Sequence, residues 1–409
     1  MIWVVVIVGL LLLIFVHELG HFTVSLLVGM RPRAFYVGFP PAIAKVRHNG
    51  IEYALGAIPL GGYVRIPGMH RPAGADLEAL MTQALHEDPS LAPLVQRVRR
   101  SLDAGDFEGA REHLPELQHA AASATLSRAA RRSANRALRD VDEGTSADAY
   151  WRAKTWKRVV AIAAGPLANV LAAFVIFTAV YATGSPSSQP SNEVAAVEAH
   201  TPAAAAGLKR GDHVIAVNGT RAATFDTVSG LIRASHGRPI TVTVDRGGKT
   251  VTLGPRKTIR LGKRWIWGFE PAATLISYPL GRSAGLAASD LWQVVTGTVK
   301  AFGSLFHGHG QGQITSTVGI VRVSAAALQV GFNYYLQIVA LVSMSLALLN
   351  LLPFLPLDGG HILFSLIERV RGRALPREAY ERASAVGFAL ILLIWVIALQ
   401  HDLSGNSPG

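Results

Sequence analysis

His17-Glu18-Leu19-Gly20-His21 lies inside an apolar run that starts at Ile2 and continues beyond Phe22 to about Met30. A run of this length and composition has few ways to fold, because in hydrocarbon only a helix satisfies its own backbone. On a helix, residues 17 and 21 project one turn apart from one face, so the two imidazoles can share a metal ion, with Glu18 beside them as a base for water. A charged group at mid-membrane costs about 2.5–3.5 kcal/mol on insertion scales. Glu18 therefore needs a compensating partner, and zinc supplies one. The three fixed residues alone are too few to make the pattern specific. The competing reading is a helix with a few polar residues lining a bundle, and the rest of the chain decides between them.

Half of the residues are hydrophobic and only 16% are charged, a composition that suits a polytopic membrane protein with sizeable soluble parts. Four apolar segments, over 1–30, 158–183, 333–356 and 384–400, approach or exceed the ~20 residues needed to cross a bilayer. The first lacks a basic start and a small-residue cleavage site ahead of the metal motif, so it is expected to be retained. Arg31, Arg33, Lys45 and Arg47 follow the first span; Arg152, Lys154, Lys157 and Arg158 precede the second; Arg369, Arg371, Arg373, Arg377 and Arg382 fill or flank the 357–383 connection. Residues 184–200 carry no Lys or Arg. The positive-inside rule then puts 29–157 and 357–383 in the cytoplasm, with both termini and 184–332 outside. The net charge of +12 is explained by these flanks and implies no nucleic-acid partner. With no cysteine, neither a disulfide framework nor a thiolate metal site is possible.

Between the spans the character changes repeatedly. Residues 50–70, punctuated by Gly56, Pro59, Gly61, Gly62, Pro67 and Gly68, read as a β-hairpin or loop apolar enough to lie against the membrane. Helical spacing over 71–149, as in Leu77, Leu80, Met81 and Leu85 and then Leu94, Val98 and Leu102, predicts a soluble cytoplasmic insert with a solvated, salt-bridged surface. Residues 192–258 alternate short strands, two short helices and a hairpin around Arg246-Gly247-Gly248, a compact α+β domain. The 282–312 segment is amphipathic (Leu286, Leu291, Val294, Val295, Val299, Phe302, Leu305) and suits a membrane surface. His307 and His309, in a glycine-rich stretch with no carboxylate nearby, read as solvent loop and not as a metal site.

The third apolar segment ends in Asn350-Leu351-Leu352-Pro353-Phe354-Leu355-Pro356-Leu357-Asp358-Gly359-Gly360-His361. Two prolines within four residues break a helix and free backbone groups, which is tolerated at membrane depth only where the backbone is buried in protein or lines a cavity. Asp358 follows the break. It can turn toward the first span as a third protein ligand, leaving a fourth position for water; alternatively it caps the next helix, and His361 competes for the ligand role.

His17 to Phe22, Pro59 to Val64, Ala164-Gly165-Pro166-Leu167-Ala168-Asn169, Ala206 to Gly219 and Asn350 to Gly360 together make the chain resemble the site-2 protease family, the intramembrane zinc metalloproteases, in its bacterial branch with a PDZ domain. The resemblance spans nearly the whole chain in family order. It implies four transmembrane helices with an extracytoplasmic PDZ domain at 192–258, and zinc held by His17, His21 and Asp358 with Glu18 as acid/base. It further implies that Asn350 helps hold the substrate backbone and that the Gly61-Gly62 loop pairs with an unwound substrate. Implied partners are single-pass membrane proteins, such as anti-sigma factors, or remnant signal peptides, with peptide ends at the PDZ domain, in a cell membrane whose lipid surrounds the spans. The chain departs from the family in the length of 71–149 and in reading Thr317-Val318-Gly319-Ile320 where Gly-Pro-Ile-Gly is common. Two rivals are a non-catalytic PDZ or zinc scaffold, against which the intact Glu18 argues, and a metal transporter, against which the almost wholly apolar 159–183 and 384–400 argue.

Overall fold

The computed structural model describes residues 2–262, 264–305 and 317–403; His307 and His309 fall outside them. In chain order, α1 (Ile2–Leu27) is followed by β1 (Ala34–His48), β2 (Ile51–Arg65), α2 (Gly74–Glu87), α3 (Ala92–Asp103), α4 (Phe107–Ser123), α5 (Arg128–Thr145) and α6 (Thr155–Thr183). Next come β3 (Ser185–Val197), α7 (Pro202–Ala205), β4 (His213–Val217), β5 (Thr220–Arg221), α8 (Phe225–Ala234), β6 (Pro239–Arg246) and β7 (Lys249–Lys257). The chain continues through β8 (Ile259–Leu261), β9 (Arg264–Ile266), β10 (Phe269–Ile276), α9 (Leu280–Leu305), α10 (Thr317–Val330), α11 (Phe332–Asn350), α12 (Asp358–Arg371) and α13 (Arg377–Leu403). Two compact units divide it, one of residues 1–176 with 288–409 and one of 177–287.

In the first unit, α1, α6, α11 and residues 377–396 of α13 are long and apolar enough to cross a membrane. Their outward side chains are large and apolar, among them Trp3, Leu27, Leu171, Val175 and Phe388, as lipid-facing positions require. Against α1, α10 and α11 pack through Val6, Leu13, Ala325, Tyr335 and Val339, and the Tyr335 hydroxyl donates to the Val5 carbonyl (3.1 Å). Hydropathy alone extends the third span to 356, but the helix stops at Asn350. The residues beyond are still apolar, so the end is invisible to hydropathy; the prolines set it. The α10 helix was not anticipated.

β structure begins at Ala34, ahead of the glycine-rich stretch. β1 and β2 pair antiparallel, and Ala34–Val37 pairs both with Glu52–Leu55 and with Gly62–Arg65. Phe15 and Phe22 of α1 meet Phe35 edge-on at 5.8 and 5.3 Å between ring centres, which fixes this sheet against the first span. Ile43, Val46, Leu55 and Ile58 remain exposed, so the sheet has apolar faces that its own fold does not cover.

Helices α2 to α5 form a bundle around Leu77, Met81, Val95, Val98, Leu114, Leu117 and Leu138. Asp106 and Ser127 cap α4 and α5 by accepting from the Gly109 and Ala130 amides. The segment after the bundle is tied to its surroundings: Arg33, between α1 and β1, pairs with Asp148 through two bonds of 2.9 and 3.0 Å, and the hydroxyls of Tyr150 and of Ser365 on α12 bond at 3.0 Å. Beside them Arg158 of α6 and Glu368 of α12 form a buried ion pair at 2.8 Å.

In the second unit a six-stranded sheet runs β10-β3-β4-β6-β7, with β5 paired to β4. Its core holds Val194, Val214, Val217, Ile240, Val242, Val244 and the fully buried Trp267, closed by Val228 and Ile232 of α8. Strand β3 starts well before residue 192, and β8 to β10 extend the unit beyond residue 258. Asp212 locks the turn before β4 by accepting from the Lys209 amide (2.8 Å) and from Arg246 (2.6 and 2.7 Å). Those bonds from Arg246 hold the Asp212 carboxyl below its ordinary range despite the opposing effect of burial.

Candidate metal centre

On α1, His17, Glu18 and His21 are all buried, each 7–8% exposed. The helix offers the two imidazoles from one face at a spacing of four, and their Nε2 atoms approach to 3.2 Å. Asp358, the first residue of α12, brings Oδ2 to 3.2 Å from His17 Nε2 and 3.3 Å from His21 Nε2. Among the described residues these three form the group able to hold a metal ion. His361 is not a member; its ring stacks on Tyr380 at 6.4 Å.

Whether zinc fits can be tested on the triangle itself. Tetrahedral zinc with donors at about 2.0–2.1 Å needs donor–donor edges of about 3.3–3.4 Å, and the observed edges are 3.2, 3.2 and 3.3 Å. Three lone-pair donors crowd together so closely only around a shared cation or proton. The tautomers agree with a cation. His21 Nδ1 donates to the Ala161 carbonyl at 3.0 Å, so its Nε2 keeps a free lone pair. His17 Nδ1 lies 3.3 Å from the Asn169 amide, whose Oδ1 is buried without a partner. The two ends of a carboxamide are nearly isosteric, so either can face the ring. Turned over, Asn169 accepts from His17 Nδ1–H, frees Nε2 for the metal and satisfies its own orphaned oxygen.

Helix α6 thus orients both histidines from one stripe, Ala161, Gly165 and Asn169, spaced four residues apart. Gly165 is a requirement of close approach, because a Cβ there would overlap the His21 ring. The Ser343 hydroxyl donates to the Asn169 carbonyl (2.9 Å) and ties α11 to the same stripe. Sequence reading placed Gly165 and Asn169 in a motif but gave them no role; the four-residue spacing was the available signal.

Glu18 faces the sheet. A Cβ on Gly62 would stand 2.7 Å from Glu18 Cγ and 2.6 Å from the Tyr36 carbonyl, so the backbone of β2 passes directly against the glutamate. Gly61 lies against the Phe39 ring, 2.7 Å from where its Cβ would be. Asn350, at the last turn of α11, donates to the Leu346 carbonyl of its own helix (3.0 Å), and that bond does not bring it to the triangle.

The model of peptidase family M50 matches residues 5–394. The chain belongs to peptidase family M50. Similarity to individual relatives also runs end to end. It is 30% identical over 408 residues to "Zinc metalloprotease RasP" of Geobacillus kaustophilus, covering 96% of this chain and 95% of the relative. It is 27% identical over 419 residues to "Probable protease eep" of Enterococcus faecalis, covering 96% of each. Over 97% of this chain, at 30% identity, it also matches a protein of Rhizobium meliloti whose printed name includes "zinc metalloprotease".

Proposed function

We propose that this membrane zinc metalloprotease hydrolyses peptide bonds within or next to the transmembrane segments of single-pass membrane proteins, such as anti-sigma factors, or of remnant signal peptides. One observation carries the reading: the ligand triangle is buried among helices of membrane-spanning length, with Glu18 against a strand. In this reading His17, His21 and Asp358 hold zinc. Zinc, when bound there, polarises the scissile carbonyl and acidifies water near pH 7. Glu18 takes the proton of the attacking water and returns it to the leaving amine. The Gly61-Gly62 segment of β2 pairs with an unwound stretch of substrate, adding a strand beside the glutamate, and Asn350 steadies the substrate backbone from the end of α11.

The 177–287 unit contains the run from Ala206 to Gly219 that resembles PDZ domains, and we assign it a peptide-screening role outside the cytoplasm. The basic flanks place the helical bundle of 71–149 and the 357–383 connection in the cytoplasm, in a cell membrane. The test is cleavage of a reconstituted single-pass substrate by the full chain in lipid vesicles, with products mapped by mass spectrometry. Cuts inside the apolar segment, increased when helix-destabilising residues are placed there, are expected. Cuts confined to the soluble flanks would contradict the proposal.

A further inference from the structure

A cavity of about 330 Å³ lies where α1 ends and α6 begins, its lining including Val28, Asp148, Arg152, Lys154, Trp156 and Lys157. Both flanking helices are membrane-spanning candidates, so their shared end marks the level where hydrocarbon gives way to headgroups. The charges around it are unevenly neutralised. Asp148, its one acidic residue, is taken by the two bonds from Arg33. Lys157 Nζ donates to the Val28 carbonyl (2.9 Å), cancelling the negative end of α1 that would repel an anion. Arg152 reaches Glu108 only at 3.8 Å, with that carboxylate mostly in solvent, and its Nε–H is buried without an acceptor. Lys154 is exposed and makes no ion pair among the described residues. Trp156, 57% exposed, stands beside Lys157 with Nζ 5.9 Å from the ring centre, the residue pair that favours the membrane–water boundary.

We propose that this cavity is a binding site for the phosphate headgroup of an anionic phospholipid, held by Arg152, Lys154 and Lys157 with Trp156 at headgroup depth. An acidic protein segment would need only the charges. The exposed tryptophan and the two spans ending together specify lipid. The size suits a phosphate with its alcohol.

The test uses the purified full chain in detergent, with lipid binding read by native mass spectrometry against phosphatidylglycerol, phosphatidylcholine and inorganic phosphate. Phosphatidylglycerol is expected to bind more tightly than phosphatidylcholine. Lys154→Ala should weaken it about fivefold and the Arg152→Gln, Lys154→Ala pair about 30-fold, at roughly one basic residue's contribution each. Phosphatidylcholine binding should not change. Lys154 is exposed, so its variant tests the site without disturbing the fold, and unchanged zinc content verifies this. Equal affinity for the two lipids, phosphatidylglycerol affinity unaltered by both variants, or displacement of the lipid by millimolar inorganic phosphate would each overturn the proposal.

Discussion

The candidate metal centre takes two donors from a helix that runs unbroken from Ile2 to Leu27 and the third from the place where another helix fails, between Asn350 and Asp358. On α1 the geometry is local: a spacing of four residues puts His17 and His21 on one face whatever surrounds them. Asp358 has no such local guarantee. Its position depends on the path of 351–357 and on α12 being held by contacts outside the triangle, among them the Arg158–Glu368 ion pair and the Tyr150–Ser365 bond. Local spacing makes half a metal site cheaply, and tertiary structure must complete it.

If the broken region truly completes the site, Asp358→Ala should lose bound zinc and cleavage together, whereas His361→Ala should keep zinc near one per chain, as measured by metal analysis of the purified proteins. Zinc retained without Asp358 would return the site to α1 alone. A smaller effect probes the support of α1. Gly165→Ala forces a methyl into the His21 ring, so zinc affinity in chelator competition should fall by about 100-fold, at the upper end of losses seen when a ligand's support is disturbed. Unaltered affinity would mean that α6 does not confine His21. Smaller still, Asn169→Ala removes the partner of His17 Nδ1 and should weaken zinc about tenfold, with Asn169→Asp restoring much of it because a carboxylate accepts the same hydrogen. Equal affinities in the three proteins would remove Asn169 from the support.

These supports also mark where the sequence stops being readable. His17, Glu18 and His21 declare themselves by spacing and by their cost in an apolar run. Pro353 and Pro356 announce a break at membrane depth, but the break alone leaves Asp358 open between ligand, helix cap and a competing His361, and the resemblance is what singled it out. The Ala161 carbonyl has no side-chain signature, since any residue would present the same acceptor, and Gly165 and Asn169 sit in an apolar helix that reads as an ordinary span. The early start of the sheet at Ala34 is hidden for another reason: Phe35, Tyr36 and Val37 alternate no more clearly than the span before them, and Ala34–Val37 is defined by partners 18 and more residues away. In the insert, the helical spacing of Leu77, Leu80, Met81 and Leu85 and of Leu94, Val98 and Leu102 is readable because each helix there buries its own stripe of the bundle core.

The division of labour between metal holding and proton transfer is the central claim, and Glu18→Gln tests it most directly. Zinc content and cleavage of a transmembrane substrate would be measured on the same preparation of the full chain. Zinc should stay near one per chain while cleavage falls by at least about 100-fold, because a neutral amide of nearly the same shape cannot take the proton. Cleavage persisting at the native rate, or zinc lost along with it, would contradict the account.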